Sequence, residues 1–151
     1  MLVKTIMSRA PDFAEAQETA QQAAVRMRQR AVGSLVVVND AYAAVGMITD
    51  RDLVERVLAA GKAPTTTLLA DVMTTSPVVI AETEGSVRAL QVMQQNCVRR
   101  LPVEDELGRI CGIVTLDDIL AAYGEDFQRI AALLRSGTPQ GIAEAAASRC
   151  E

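Results

Sequence analysis

The chain repeats itself. Displaced by 73 − 7 = 66 positions, it aligns on itself without a gap. Met7 falls on Met73, Pro11 on Pro77, Glu18 on Glu84, Ala23 on Ala89, Met27 on Met93 and Gln29 on Gln95. Further along, Val32, Leu35 and Val37 meet Val98, Leu101 and Val103, and Gly46, Thr49 and Asp52 meet Gly112, Thr115 and Asp118. A constant offset kept over that length defines two copies of one supersecondary unit. The copies are placed at residues 3–58 and 69–124, joined by a linker at 59–68 and followed by a tail at 125–151. A unit of this size is marginal alone, so the copies are expected to pack on each other with approximate two-fold symmetry, leaving two equivalent clefts where they meet.

Both copies have the same internal order. A short helical turn (3–7 and 69–73) precedes a Pro and an extended piece (12–14 and 78–80). An amphipathic helix follows, with the apolar face Ala20, Ala23, Ala24 and Met27 in one copy and Val87, Leu90, Met93 and Cys97 in the other. The β-branched run Leu35-Val36-Val37-Val38, matched by Leu101-Pro102-Val103, pairs as a hairpin with 44–48 or 110–114. A helix starts after Thr49 and after Thr115, the first stopping near Gly61. The expected class is α/β (α+β), two small sheets flanked by helices. In the tail, Ile130, Leu133 and Leu134 make one helical face, residues 136–139 break it, and the Ala-rich stretch 142–147 suits a second helix.

Composition narrows the chemistry. The chain has no histidine, which removes His-based acid–base and nucleophile systems and most zinc sites. Its charge is 15 − 19 = −4 and its aromatic content 3%, which argue against nucleic acid and anionic membranes. No apolar run approaches the roughly 18 residues of a membrane span, and the N-terminus does not read as a signal peptide. Cys97, Cys111 and Cys150 fit neither a disulfide framework nor a CxxC site, so a reducing cytoplasm is expected. Cys97 and Cys111 read as small buried hydrophobes, and Met27 and Met93 as core filler.

The repeated polar signal is strand–Thr-x-x-Asp–helix, in Gly46-Met47-Ile48-Thr49-Asp50-Arg51-Asp52-Leu53 and Gly112-Ile113-Val114-Thr115-Leu116-Asp117-Asp118-Ile119. Thr-x-x-Asp before an apolar stretch resembles a capping box. A carboxylate at a helix start can also accept ribose hydroxyls while Thr and free N–H groups face a phosphate. The two roles are compatible. Adjacent acids on a helix do not converge, so Asp50/Asp52 and Asp117/Asp118 do not suggest a metal site.

These junctions resemble those of tandem cystathionine β-synthase (CBS) domains, the pair called a Bateman module. The segments Thr5-Ile6-Met7, Val72-Met73-Thr74-Thr75-Ser76-Pro77-Val78-Val79 and Arg99-Arg100-Leu101-Pro102-Val103 add to the resemblance. It implies a stand-alone regulatory module that binds adenosine-containing ligands (AMP, ADP, ATP or S-adenosylmethionine) in the inter-repeat clefts. Asp52 and Asp118 would hold ribose, and Thr49 and Thr115 ribose or phosphate. Val78 and Val79, or Asp12 and Phe13, would line the adenine pocket. Arg99 and Arg100 would meet phosphate, unless they only complement a helix end. Arg51 would partly restore a cation in copy one, which has Gly33-Ser34 in place of Arg99-Arg100. The copies are therefore expected to bind unequally. A homodimer and a regulated protein partner are implied; no cofactor is obligatory, although a polyphosphate would bring Mg²⁺. The competing functions are a constitutive interaction subunit without a nucleotide and, less supported, an enzyme, since no P-loop, nucleophile elbow or dinucleotide fingerprint occurs.

Overall fold

The computed structural model describes residues 1–9 and 12–136. Its fold is mixed α+β with two four-stranded sheets. Each is built on an antiparallel hairpin, β3 (Ser34–Val38) with β4 (Ala44–Thr49), and β7 (Arg100–Glu104) with β8 (Ile110–Thr115). The turns are closed alike: Asn39 Oδ1 accepts the N–H groups of Ala41 and Ala43, and Asp105 Oδ1 those of Leu107 and Arg109. Strand β2 (Phe13–Ala14) runs parallel to β3, and β6 (Ile80–Ala81) parallel to β7. Parallel neighbours need a crossover. Helices α2 (Ala20–Arg30) and α4 (Ser86–Asn96) supply it, both ending in a left-handed residue, Ala31 and Cys97.

Helix α2 buries Ala20, Ala23 and Met27 and exposes Ala24. In α4 the core face differs from the expected one. Ser86, Ala89, Val92 and Met93 are buried, whereas Val87 and Cys97 are exposed and Leu90 is half-buried. Ser86 can be buried because its hydroxyl meets the Tyr123 hydroxyl at 3.2 Å. Cys97 is exposed because it forms the left-handed helix cap rather than a core position.

The repeated unit and the packed unit are not the same stretch of chain. Helix α1 (Val3–Ile6) leads into β1 (Ser8–Arg9), which pairs with β8 of the second copy. Val3 and Met7 are buried among Ile80, Leu101, Val114 and Ile119. Reciprocally, the 3₁₀ turn Leu69–Asp71 leads into β5 (Thr74–Thr75), which pairs with β4 of the first. Leu69 and Val72 lie among Leu35, Ile48 and Leu53. The anchoring bonds match too: Val3 N–H donates to the Glu84 carbonyl at 2.8 Å and Leu69 N–H to that of Glu18 at 2.9 Å. Gly46 and Gly112 recur because these exchanged arms lie on them. A Cβ at Gly46 would overlap Met73 Sδ, and one at Gly112 would overlap Met7 Sδ.

The sheets meet at a seam of Val36 and Val38 from β3 with Ile110 from β8, against which Phe13, Ala44, Val79 and Ile113 pack. After Thr49 the first copy has helix α3 (Asp50–Leu53) and a π-helical turn, Val54–Leu58, with Gly61 at φ +66°. After Thr115 a single helix, α5 (Leu116–Ser136), continues into the tail, and Ile130, Leu133 and Leu134 are exposed on it. The break expected over 136–139 beyond Ser136, the helix expected at 142–147, Pro11 and Cys150 lie outside the described residues.

Candidate functional site: paired inter-repeat clefts

Two clefts lie between the copies. The larger, of about 680 Å³, is edged by Thr49 and Asp52 and takes Pro77, Val78, Arg99 and Arg100 from the second copy. The smaller, of about 370 Å³, is edged by Thr115 and Asp118 and takes Asp12, Gly33 and Ser34 from the first, with Arg9 and Arg100 beside them. The junction of one copy thus faces the strand start of the other.

Each junction is a complete capping box. Thr49 Oγ1 accepts the Asp52 N–H at 3.1 Å, and Asp52 Oδ2 accepts the Thr49 N–H and hydroxyl at 2.9 and 2.8 Å. Thr115 Oγ1 accepts the Asp118 N–H at 3.2 Å, and Asp118 Oδ2 accepts the Thr115 N–H and hydroxyl at 2.8 and 2.7 Å. The cap uses one carboxylate oxygen and leaves the other for further work. In the first junction that oxygen is engaged: Asp52 Oδ1 lies 3.0 Å from Arg56 Nη2. Arg56 is itself fixed, donating to the Val72 carbonyl at 2.8 Å and to Thr74 Oγ1 at 3.2 Å. Asp118 Oδ1 has no hydrogen-bond or ion-pair partner among the described residues.

The clefts bring together Thr49, Arg51, Asp52, Val78, Arg99 and Arg100 on one side, and Asp12, Thr115, Asp118 and again Arg100 on the other. Val79 and Phe13 line neither cleft. They pack in the seam, Phe13 edge-on to Tyr42 with ring centroids 5.8 Å apart. Successive side chains of an extended segment point to opposite faces, so only the first residue of each pair reaches a cleft. Arg51 does not compensate for Gly33-Ser34. It sits in the same cleft as Arg99 and Arg100, because its junction faces the second copy, and Glu55 at 2.6 Å holds its guanidinium above the usual range. Arg99 is exposed and 3.7 Å from Asp117. Arg56 was not singled out from the sequence; its signal was the Asp–Arg spacing of one helical turn.

Other chemistry is sparse. Burial holds the Cys111 thiol above its usual range, which disfavours a thiolate nucleophile. Among the described residues, no three His, Cys, Asp or Glu side chains cluster as a metal site, and no helix is long and apolar enough to cross a membrane.

The fold and clefts define a tandem-repeat module with paired inter-repeat grooves. The chain belongs to the CBS domain family, which matches residues 3–59 and 69–125. An uncharacterised Methanopyrus kandleri protein is 41% identical over 104 residues, covering 68% of this chain and 53% of that protein. The mitochondrial CBS domain-containing protein CBSX3 of Arabidopsis thaliana is 33% identical over 128 residues, covering 80% and 62%. The chain thus spans little more than half the length of these two relatives. Hypoxic Response Protein I, crystallised with two coordinated zinc ions, superposes with a TM-score of 0.73 at 33% identity, covering 80% of this chain and 98% of that one. The CBS domain pair of protein MJ0100, crystallised with 5′-methylthioadenosine and S-adenosyl-L-methionine, superposes with a TM-score of 0.75 at 28% identity, covering 83% and 98%.

Proposed function

We propose that this chain is a non-catalytic sensor that takes an adenosine-containing ligand, AMP, ADP, ATP or S-adenosylmethionine, in the inter-repeat clefts and relays its binding to a protein partner. The observation that carries the proposal is Asp118, whose Oδ1 has no partner among the described residues and which, with Thr115, lines a cleft walled by both copies. A sugar diol donates hydrogen bonds, and a carboxylate oxygen already oriented by its cap accepts them without reorganisation. The co-crystallised adenosyl ligands of the MJ0100 domain pair support the same class of ligand. A ligand touching both copies favours the packing in which its contacts are best, and only that difference in affinity can transmit a signal. No cofactor is needed for this, and a polyphosphate would arrive with its own Mg²⁺.

The proposal includes a homodimer. Leu120, Phe127, Ile130 and Leu133 are exposed along α5, an apolar surface that self-association would cover. Sedimentation of a strict monomer would remove this part. The free thiols of Cys97 and Cys111 support a reducing, cytoplasmic setting.

The test is calorimetric titration with AMP, ATP and S-adenosylmethionine on the wild type and on Asp52→Ala and Asp118→Ala. Each substitution is expected to weaken binding in its own cleft. Absence of binding across the whole panel would leave a constitutive interaction subunit as the function.

A further inference from the structure

The clefts differ at positions that the repeat makes equivalent. Arg56, Arg99 and Arg100 of the Asp52 cleft correspond, 66 positions away, to Ala122, Gly33 and Ser34, and Val78 corresponds to Asp12. Two consequences follow for ligand chemistry. First, the Oδ2 of both carboxylates already accepts two hydrogen bonds from its threonine. A diol must therefore use Oδ1, which is open at Asp118 and held by Arg56 at Asp52. Second, the Asp52 cleft carries the guanidinium groups of Arg99 and Arg100 on its wall, the donors best suited to phosphate oxygens, whereas the Arg56 guanidinium is spent on Asp52, Val72 and Thr74. The ion pair of Arg99 with Asp117 lies in solvent, where such pairs are weak and exchange readily for a phosphate. Each cleft holds a second carboxylate, Asp50 beside Asp52 and Asp12, whose exposed partner Arg30 is 3.3 Å away, beside Asp118. The difference lies in the arginines, Arg51, Arg56, Arg99 and Arg100 in the first against Arg9 and the shared Arg100 in the second.

We infer that the two clefts sort ligands by charge, with Arg56 as the specificity-determining residue. The Asp118 cleft takes a nucleoside without phosphate, through its ribose diol. The Asp52 cleft takes a phosphorylated nucleotide through Arg99 and Arg100, while Arg56 keeps Asp52 Oδ1 from a diol. This inference rests on the adenosine-ligand function proposed above. The sorting follows from the residues at the copy interface: the same fold presents an acceptor on one side and donors on the other.

Adenosine and ATP, titrated calorimetrically into the full chain, test it. One equivalent of adenosine is expected to bind, and ATP to bind a further site when adenosine is saturating. Asp118→Asn keeps the cap acceptor but removes the charge, and is expected to weaken adenosine about tenfold or more while leaving ATP within about twofold. Arg99→Gly copies the other cleft at the one of Arg99 and Arg100 that the two do not share, and is expected to weaken ATP about tenfold or more, leaving adenosine bound. Arg56→Ala is expected to release Asp52 and create a second adenosine site, a gain that a misfolded variant cannot mimic. ATP displacing adenosine one for one, or two adenosine equivalents in the wild type, would overturn the sorting and leave the ligand proposal standing. Absence of binding by adenosine and by ATP would overturn the sorting, and absence of S-adenosylmethionine and AMP binding as well would overturn both.

Discussion

Thr49-Asp52 and Thr115-Asp118 start their helices with the same four hydrogen-bonding atoms, yet their outer carboxylate oxygens meet different surroundings. At Asp52 an arginine one turn along the helix has closed on the free oxygen; at Asp118 the equivalent residue is Ala122 and the oxygen stays open. The difference separates two pressures on a duplicated chain. The inner oxygen is committed to beginning a helix, so the motif survives in both copies whatever is bound. The outer oxygen and the strand opposite are free to diverge, so recognition is written there. A motif search finds the part that is shared, while the part that distinguishes the clefts lies four residues on and in the other copy.

The copies can be set against each other experimentally. The largest effect is expected at the exchanged arms. Leu69→Ala should lower the unfolding free energy by about 2–5 kcal/mol in denaturant titrations, and Val3→Ala by less, having fewer buried atoms to lose. Near-zero effects would mean that the arms are appendages and not parts of the cores. Next come Gly46→Ala and Gly112→Ala, at about 1–3 kcal/mol each, because the added methyl meets Met73 or Met7. Pairing each with Met73→Ala or Met7→Ala should recover part of the loss, which a double-mutant cycle would read. The caps are expected to be equal: Thr49→Ala and Thr115→Ala should each cost about 0.5–2 kcal/mol. Asp52→Asn should exceed Asp118→Asn by only about 0.2–1 kcal/mol, the worth of a partly exposed pair with Arg56.

The smallest contrast is between the hairpin turns. Asp105 stands where the other copy has Asn39, and the N–H of Arg109, its guanidinium and the N–H of Leu107 hold the Asp105 carboxyl below the usual carboxylate range. A group whose pKa is lower folded than unfolded stabilises the turn above its unfolded pKa, and that contribution disappears as the pH falls through the lower folded value. The β7–β8 turn should therefore loosen in acid while the β3–β4 turn does not. The amide shifts of Leu107 and Arg109, followed by NMR against those of Ala41 and Ala43, would show it. Asp105→Asn should make the two turns respond alike.

Much of the fold is legible in the residue pattern. The hairpins, the crossover helices, the extended pieces and the capped junctions rest on local rules, and the structure contains all of them. The register of the α4 face was in principle available as well. The offset that carries Ala20, Ala23 and Met27 onto Ser86, Ala89 and Met93 points to it, but Ser86 is polar and Val87 is apolar, so hydrophobicity alone chooses the wrong phase. The exchange of arms had no local signature. Met7 and Gly112 are far apart in sequence, and their recurrence as Met73 and Gly46 marks importance without saying which touches which. The same gap misplaced Arg51, whose cleft depends on which copy faces which. Val79 and Phe13 failed for a simpler reason, since an extended segment can offer only alternate residues to one side.

The borrowed edge strands carry a consequence for how the halves depend on each other. In this chain neither copy closes its own sheet edge or covers its own glycine; each takes the arm of the other to do so. Holding both copies in one chain makes that exchange intramolecular, at an effective concentration that does not fall on dilution, and leaves the two facing grooves on unequal residues.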